Sequence, residues 1–354
     1  MIRSLIPGTC GVFIFAAFAS GSAAQTVTMK TSPDSADVTW PQLAFSHDGR
    51  ILREDASLNS DNNSGPVRIA AYDTATGAVI RERTLALYTR VESQTSDGRT
   101  LLISQSDPAG NAPAKLFLLD ADTGETQPIP REWFDADDER PTAALSGDGR
   151  LISAYSENGP QESPMVVTLY DWKTKKPVAK QMEGFPAGGA ASGGVTVDGK
   201  IEFDYSRSGS EIVDPQTGRV LTHEGVDSVR SPDGAWVVDF PYEPMTDPGI
   251  DVKITHGEDG RPAGKLDLQL TEEQRERVWP GAFCGTSGSF VTAVDDTVYV
   301  FQIPTGMKLA SFAAATWRDA KAPADASVSI ACTDDGKHVA IRSGSRLTVH
   351  DAKN

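Results

Sequence analysis

Apolar residues in this chain come in short bursts that stop at turn signals. Runs such as TLLIS (100–104), KLFLLD (115–120) and DTVYVFQI (296–303) are rich in β-branched and aromatic residues, the composition of strands. No long stretch keeps a helical period. The one helical candidate is TEEQRERV (271–278), enough for a turn or two in a connection. Near copies of one tetrad punctuate the bursts: SHDG, TSDG, SGDG, TVDG, SPDG and TDDG, with GTSG as a worn copy. Their glycines are 49, 98, 149, 199, 234, 288 and 336, so the steps are 49, 51, 50, 35, 54 and 48 residues. Asp-Gly between two β-rich runs marks a tight hairpin, because glycine tolerates positive φ there.

A second turn follows each of the first six tetrads. AAYDTATG ends at Gly77, LFLLDADTG at Gly124, EIVDPQTG at Gly218 and VFQIPTG at Gly306. KITHGEDG, ending at Gly260, is a looser copy; TLYDWKTKK (168–176) is a copy without the glycine. Each unit therefore reads strand, turn, strand, loop, strand, turn, strand, which is one four-stranded blade. Self-similarity at this period marks a propeller. The expected fold is all-β: a seven-bladed propeller in a single domain over residues 25–354. The seventh unit stops after its third strand, at LTVHDA, and TVTMKT (26–31) is a β-like run ahead of the first unit. The N-terminal strand is expected to complete the last blade and leave no open seam.

On these residues the chain resembles the bacterial exported propellers grouped as WD40-like, including the YVTN and TolB-like repeats. The resemblance covers nearly all of 26–354 and implies architecture rather than one activity. True WD40 repeats fit poorly, because there is no Gly-His and no Trp-Asp dipeptide. The D-x-x-TG tips also resemble those of quinoprotein dehydrogenases. Their continuations here, AVIRER, ETQPIP and RVLTHE, lack the tryptophan that docks blades in those enzymes.

The Asp-Gly and Thr-Gly turns belong on one face of the disc, and the variable loops on the other. Long middle loops occupy 53–66, 105–114, 156–164 and 240–249, and long links occupy 128–142 and 313–326. Loops on a rigid scaffold carry function, so the loop face is the expected binding surface. Its aromatic candidates are Trp133, Phe134, Tyr242 and Trp317, read either as anchors for a partner or as side chains folded back between blades. Trp40 and Trp279 open the aligned stretches WPQLAFSHDG and WPGAFCGTSG and are read as structural.

Composition narrows the partners. The net charge of −16 argues against nucleic acid and favours solubility. Residues 1–24 have the form of a secretory signal peptide: Arg3, the apolar run GVFIFAAFA (11–19), then small residues before Gln25. The apolar run is too short for a membrane span. A periplasmic or secreted location with no membrane insertion is expected. Cys284 and Cys332 occupy equivalent places in units six and seven. They are read as a disulfide or as two buried thiols, the second being favoured because inner-strand equivalents often sit too far apart.

Catalytic motifs are missing. The chain has no G-x-S-x-G, no H-E-x-x-H, no paired-cysteine zinc pattern and no C-x-x-C-H. The histidines 47, 223, 256, 338 and 350 are scattered, and the acidic loops DNNSG (61–65) and DADDE (135–139) lack a strict metal spacing. No cofactor or metal is expected. The function expected is a non-catalytic binding or scaffold protein with a protein partner. The alternative is a propeller enzyme, a lactonase-like hydrolase or a lyase, with its site in the central channel.

Overall fold

A computed structural model describes residues 26–31, 39–58, 66–109, 112–134, 141–157, 165–182, 192–204, 209–224, 228–240, 251–268, 271, 274, 278–285, 288–295, 297–313, 319 and 328–352. They form seven separate four-stranded antiparallel sheets, the blades of a propeller. Blade one consists of Thr39–Phe45, Ile51–Ser57, Val67–Asp73 and Val79–Thr84. Blades two to six repeat that order over 89–128, 142–182, 192–224, 228–265 and 278–313. Blade seven is made of Val328–Cys332, His338–Ser343 and Arg346–Asp351, and Thr26–Thr28 supplies its fourth strand.

That closing strand pairs Thr26 with His350, Val27 with Val349 and Thr28 with Thr348. The contact continues past the strand. The Met29 N–H donates to Leu347 O at 2.9 Å, and the Lys30 N–H donates to Gly77 O in blade one at 2.9 Å. The Met29 side chain is buried with Phe45, Leu52 and Tyr72 of blade one and Leu347 and Val349 of blade seven. The first residues of the fold thus join both sides of the seam, which removes the unpaired edge an open ring would present.

The core is a set of clusters between neighbouring blades, because each blade buries both of its faces against its neighbours. Val291, Val298 and Val300 of blade six meet Val339 and Ile341 of blade seven, and Leu151, Val167 and Leu169 of blade three meet Ile201, Phe203 and Val213 of blade four. Cys284 and Cys332 lie in the first of these clusters and are joined as a disulfide, with Cα atoms 4.9 Å apart. The sequence favours separate thiols at this point. The inner strands converge on the axis, so equivalent residues come within bridging distance.

Two kinds of bulge shape the strands. In the inner strands of blades one and six the register shifts between Thr39 and Gln42 and between Trp279 and Ala282. Both shifts fall on a Trp-Pro dipeptide, Trp40-Pro41 and Trp279-Pro280. Proline cannot donate to a ladder and is tolerated at a bulge. The outer strands of five blades each carry one extra residue near their start: Ile80, Val178, Leu221, Ala263 and Leu309. A bulge twists an edge strand away from would-be partners.

Candidate functional site

The tetrad is a self-contained hydrogen-bond module. In five blades the Ser or Thr hydroxyl donates to Oδ1 of the aspartate two residues on at 2.6–2.8 Å, and Thr196 does the same to Asp198. The same hydroxyl accepts the N–H that starts the next strand, as from Ile51 at 3.0 Å and Leu151 at 2.9 Å. The aspartate also accepts a backbone N–H two residues on, as from Arg99 at 3.0 Å. The Ser46 hydroxyl and then the Arg50 N–H hold the Asp48 carboxyl below the usual range. Asp335 is drawn down to about 2: partial burial opposes the shift, and bonds from Lys337 and Thr333 outweigh it. Where a cation follows the glycine it adds an ion pair, within the module for Arg150 at 3.6 Å from Asp148 and Lys337 against Asp335, and to the second turn for Lys200 at 3.9 Å from Asp214. The recurring carboxylates are therefore committed to turn geometry and to their neighbours.

Inside this ring, on the turn face, the central channel opens into a cavity of about 450 Å³. His47, Ser96, Gly147, Val197, Pro232 and Asp334 occupy the same tetrad position in blades one to five and seven and line it. His47 and Asp334 form a pair across the seam at 2.9 Å, and that bond first of all raises the imidazole pKa. The two side chains are 73% and 45% exposed, so water screens the pair heavily. Among the described residues no group of three His, Cys, Asp or Glu is arranged to hold a metal ion.

The aromatic candidates separate. Trp133 and Phe134 are buried, 8% and 7% exposed, on a short 3₁₀ turn (Arg131–Trp133) in the link between blades two and three. Trp133 stacks on Tyr170 at 3.9 Å and meets Trp172 edge-on at 6.1 Å. These two side chains fold back between blades, because the indole buries more surface there than a loop could cover. Tyr242, Trp317 and the loops 61–65 and 135–139 lie outside the described residues. Among the described residues, histidines 47, 256, 338 and 350 each keep separate partners. His350 is buried under blade six, bonded to Thr348 and Thr26, and burial lowers it to about 4. His338 pairs with Asp351 at 3.0 Å, and His256 lies against Trp236.

Sequence reasoning overlooked Leu87 and Tyr88. They lie in the link into blade two, on the loop face, 58% and 37% exposed. Tyr88 adopts φ 62°, rare for a bulky side chain, and its carbonyl accepts the Ser106 N–H at 3.0 Å. The strained backbone is thus held by the neighbouring strand while two apolar side chains face water. The available signal was the apolar pair in a link only four residues long, between Thr84 and Thr89.

The geometry defines a seven-bladed β-propeller, closed by its own N-terminal strand and carrying separate turn and loop faces. No protein-family model and no curated protein matches the chain.

Proposed function

We propose that this protein is an exported, non-catalytic propeller that holds a protein partner on its loop-rich face. The observation that carries the reading is the exposed Leu87–Tyr88 pair, apolar and backbone-strained on that face. Strain of this kind collects at binding sites, where the surrounding fold over-determines it. The turn face supports the same division of labour, since its repeated polar groups are engaged with one another. The signal-like residues 1–24 and the Cys284–Cys332 disulfide fit an oxidising compartment outside the cytoplasm.

Cross-linking in the exported fraction of the native host tests this. The Leu87→Ser/Tyr88→Asn variant should lose a partner captured by the wild type, with an unchanged melting curve. Equal capture by both proteins would remove the loop face from the account. The second reading is an enzyme of the central channel, and the cavity beside His47 and Asp334 is what favours it. Native mass spectrometry separates the two: a retained ion or small cofactor would move the site into the channel.

A further inference from the structure

The repeat sets a standard from which blade three departs. At the tip between the third and fourth strands, blades one, two, four, five and six place Gly77, Gly124, Gly218, Gly260 and Gly306 at φ 67–76°. Blade three places Lys175 there, at φ 59°. A lysine is strained in this left-handed conformation, whereas glycine is not. The substitution sits within the densest run of cations on an acidic chain, WKTKKPVAK (172–180). Lys173, Lys175, Lys176 and Lys180 are all exposed, and the bulged Val178 between them is 55% exposed.

The tip is built on the core. The Lys175 ammonium lies over the Trp172 ring, and that ring rests edge-on against buried Trp133. Partial burial draws Lys175 down to about 8, which still leaves it mostly charged at neutral pH. Elsewhere on the rim several cations have partners: Lys265 meets Asp251 at 3.1 Å, Arg81 meets Asp122 at 4.0 Å, and Arg83 donates to Thr123 O at 3.2 Å. Lys173, Lys176 and Lys180 have no acidic partner among the described residues. Lysines on an outer strand keep sheet edges apart, and that accounts for Lys176 and Lys180. It does not account for Lys173 and Lys175, which lie in the turn before the strand (Lys176–Met182).

We propose that the blade-three tip is a docking site for an acidic, extended polypeptide segment. Carboxylates of the segment meet the four lysines, and an apolar side chain rests on Val178. Charge complementarity selects this occupant. A short acidic segment reaches the tip without meeting the negative field of the rest of the disc, whereas a long polyanion or an anionic membrane would be repelled by a chain of net charge −16. This site is separate from Leu87–Tyr88, so either can fail alone.

Fluorescence anisotropy on the purified chain tests it, with a labelled peptide of alternating glutamate and valine as the probe. Binding should weaken about tenfold or more in Lys173→Glu/Lys176→Glu/Lys180→Glu, and more modestly in Lys175→Gly. It should also weaken on raising salt from about 20 mM to about 200 mM. Lys173→Gln/Lys180→Gln guards against a folding defect and should give a smaller loss at an unchanged melting temperature. The proposal is overturned by no binding of the probe, by equal binding of the variants, or by equal binding of a glutamine-for-glutamate peptide. Vesicles of anionic lipid that bind as tightly, and lose binding in the same variants, would also overturn the assignment to a polypeptide.

Discussion

Glu54 and Asp55 are adjacent carboxylates on one strand of blade one, both buried, and they meet opposite environments. Side chains alternate along a strand, so Glu54 faces blade seven and Asp55 faces blade two. Glu54 is fully enclosed by Arg68, Arg342 and Tyr72. Tyr72 donates to it at 3.0 Å, Arg342 of blade seven lies 3.3 Å away, and Arg68 both binds it and lies 3.6 Å from Glu82. Burial and the Glu54 charge push the Tyr72 phenol up. Asp55 has Gln42 and Ile69 as its cross-strand neighbours, and its Oδ1 has no hydrogen-bond partner among the described residues. Arg53, on the same side, is committed to Asp122 at 2.9 Å and to Asp97 O at 2.8 Å. Burial, and then the neighbouring Glu54 charge, raise the Asp55 carboxyl to about 7. One residue of register therefore separates a buried carboxylate whose charge is satisfied by two arginines, although its Oε1 has no hydrogen-bond partner among the described residues, from one whose charge meets no cation among them. Only the first helps to join the two ends of the chain.

The largest effect should come from breaking the satisfied side. Glu54→Gln leaves Arg68 and Arg342 buried against a neutral amide, and should cost about 3–5 kcal/mol in a urea titration. A loss below about 1 kcal/mol would show that the cluster is already hydrated. Next comes the opposite flank of blade seven, which is apolar and stapled. Cys284→Ala/Cys332→Ala opens a loop with a sequence separation of 48. It should cost about 3–4 kcal/mol on the loop-entropy account. Equal melting curves with and without reductant would show that the apolar cluster alone holds that flank.

Much of the architecture could be read from the chain because the repeat prints itself as turn residues: glycine at positive φ, aspartate bonding its own backbone, and β-branched runs between them. Closure could be read because the seventh unit lacks a strand and residues 26–31 supply one. What could not be read was which side chains meet across blades. Nothing local distinguishes Glu54 from Asp55, because their partners lie on other strands and, for Arg342, 288 residues away (342 − 54). Trp133 and Phe134 read equally as surface anchors or as side chains folded inward, because they sit in a Pro-rich link; only the packing of blade two on blade three shows the pocket that takes them. Leu87 and Tyr88 escaped notice for the reverse reason, since an apolar pair beside a strand reads as more strand.

A smaller effect, of opposite sign, is expected on the unsatisfied side. Asp55 titrates near 7 when folded and near 3.8 in its ordinary state. The folded protein therefore binds more protons than the unfolded chain between those values, and stability falls as pH rises through that window. Asp55→Asn carries no such penalty. It should stabilise above pH 7 by less than the roughly 4 kcal/mol that the whole shift would carry, with the gain fading toward zero near pH 4. A gain independent of pH would assign the effect to packing, and a loss would mean that the carboxylate has a partner.

The smallest effect should follow from removing the whole satisfied cluster. Glu54→Leu/Arg68→Met/Arg342→Met replaces a buried charge network with apolar volume. Attraction among buried charges only roughly offsets their lost hydration, so stability should change by about 1 kcal/mol or less in either direction. That result, beside a large loss in Glu54→Gln, would show that the charges specify the seam more than they strengthen it. At the seam Arg342 of blade seven fits only where Glu54 of blade one waits. The discriminating readout is cooperativity rather than midpoint. If the charges select the closing register, the triple variant should unfold with a lower denaturant slope at a nearly unchanged midpoint. A slope equal to that of the wild type would leave Thr26–Thr28 and Met29 as sufficient to set the register alone.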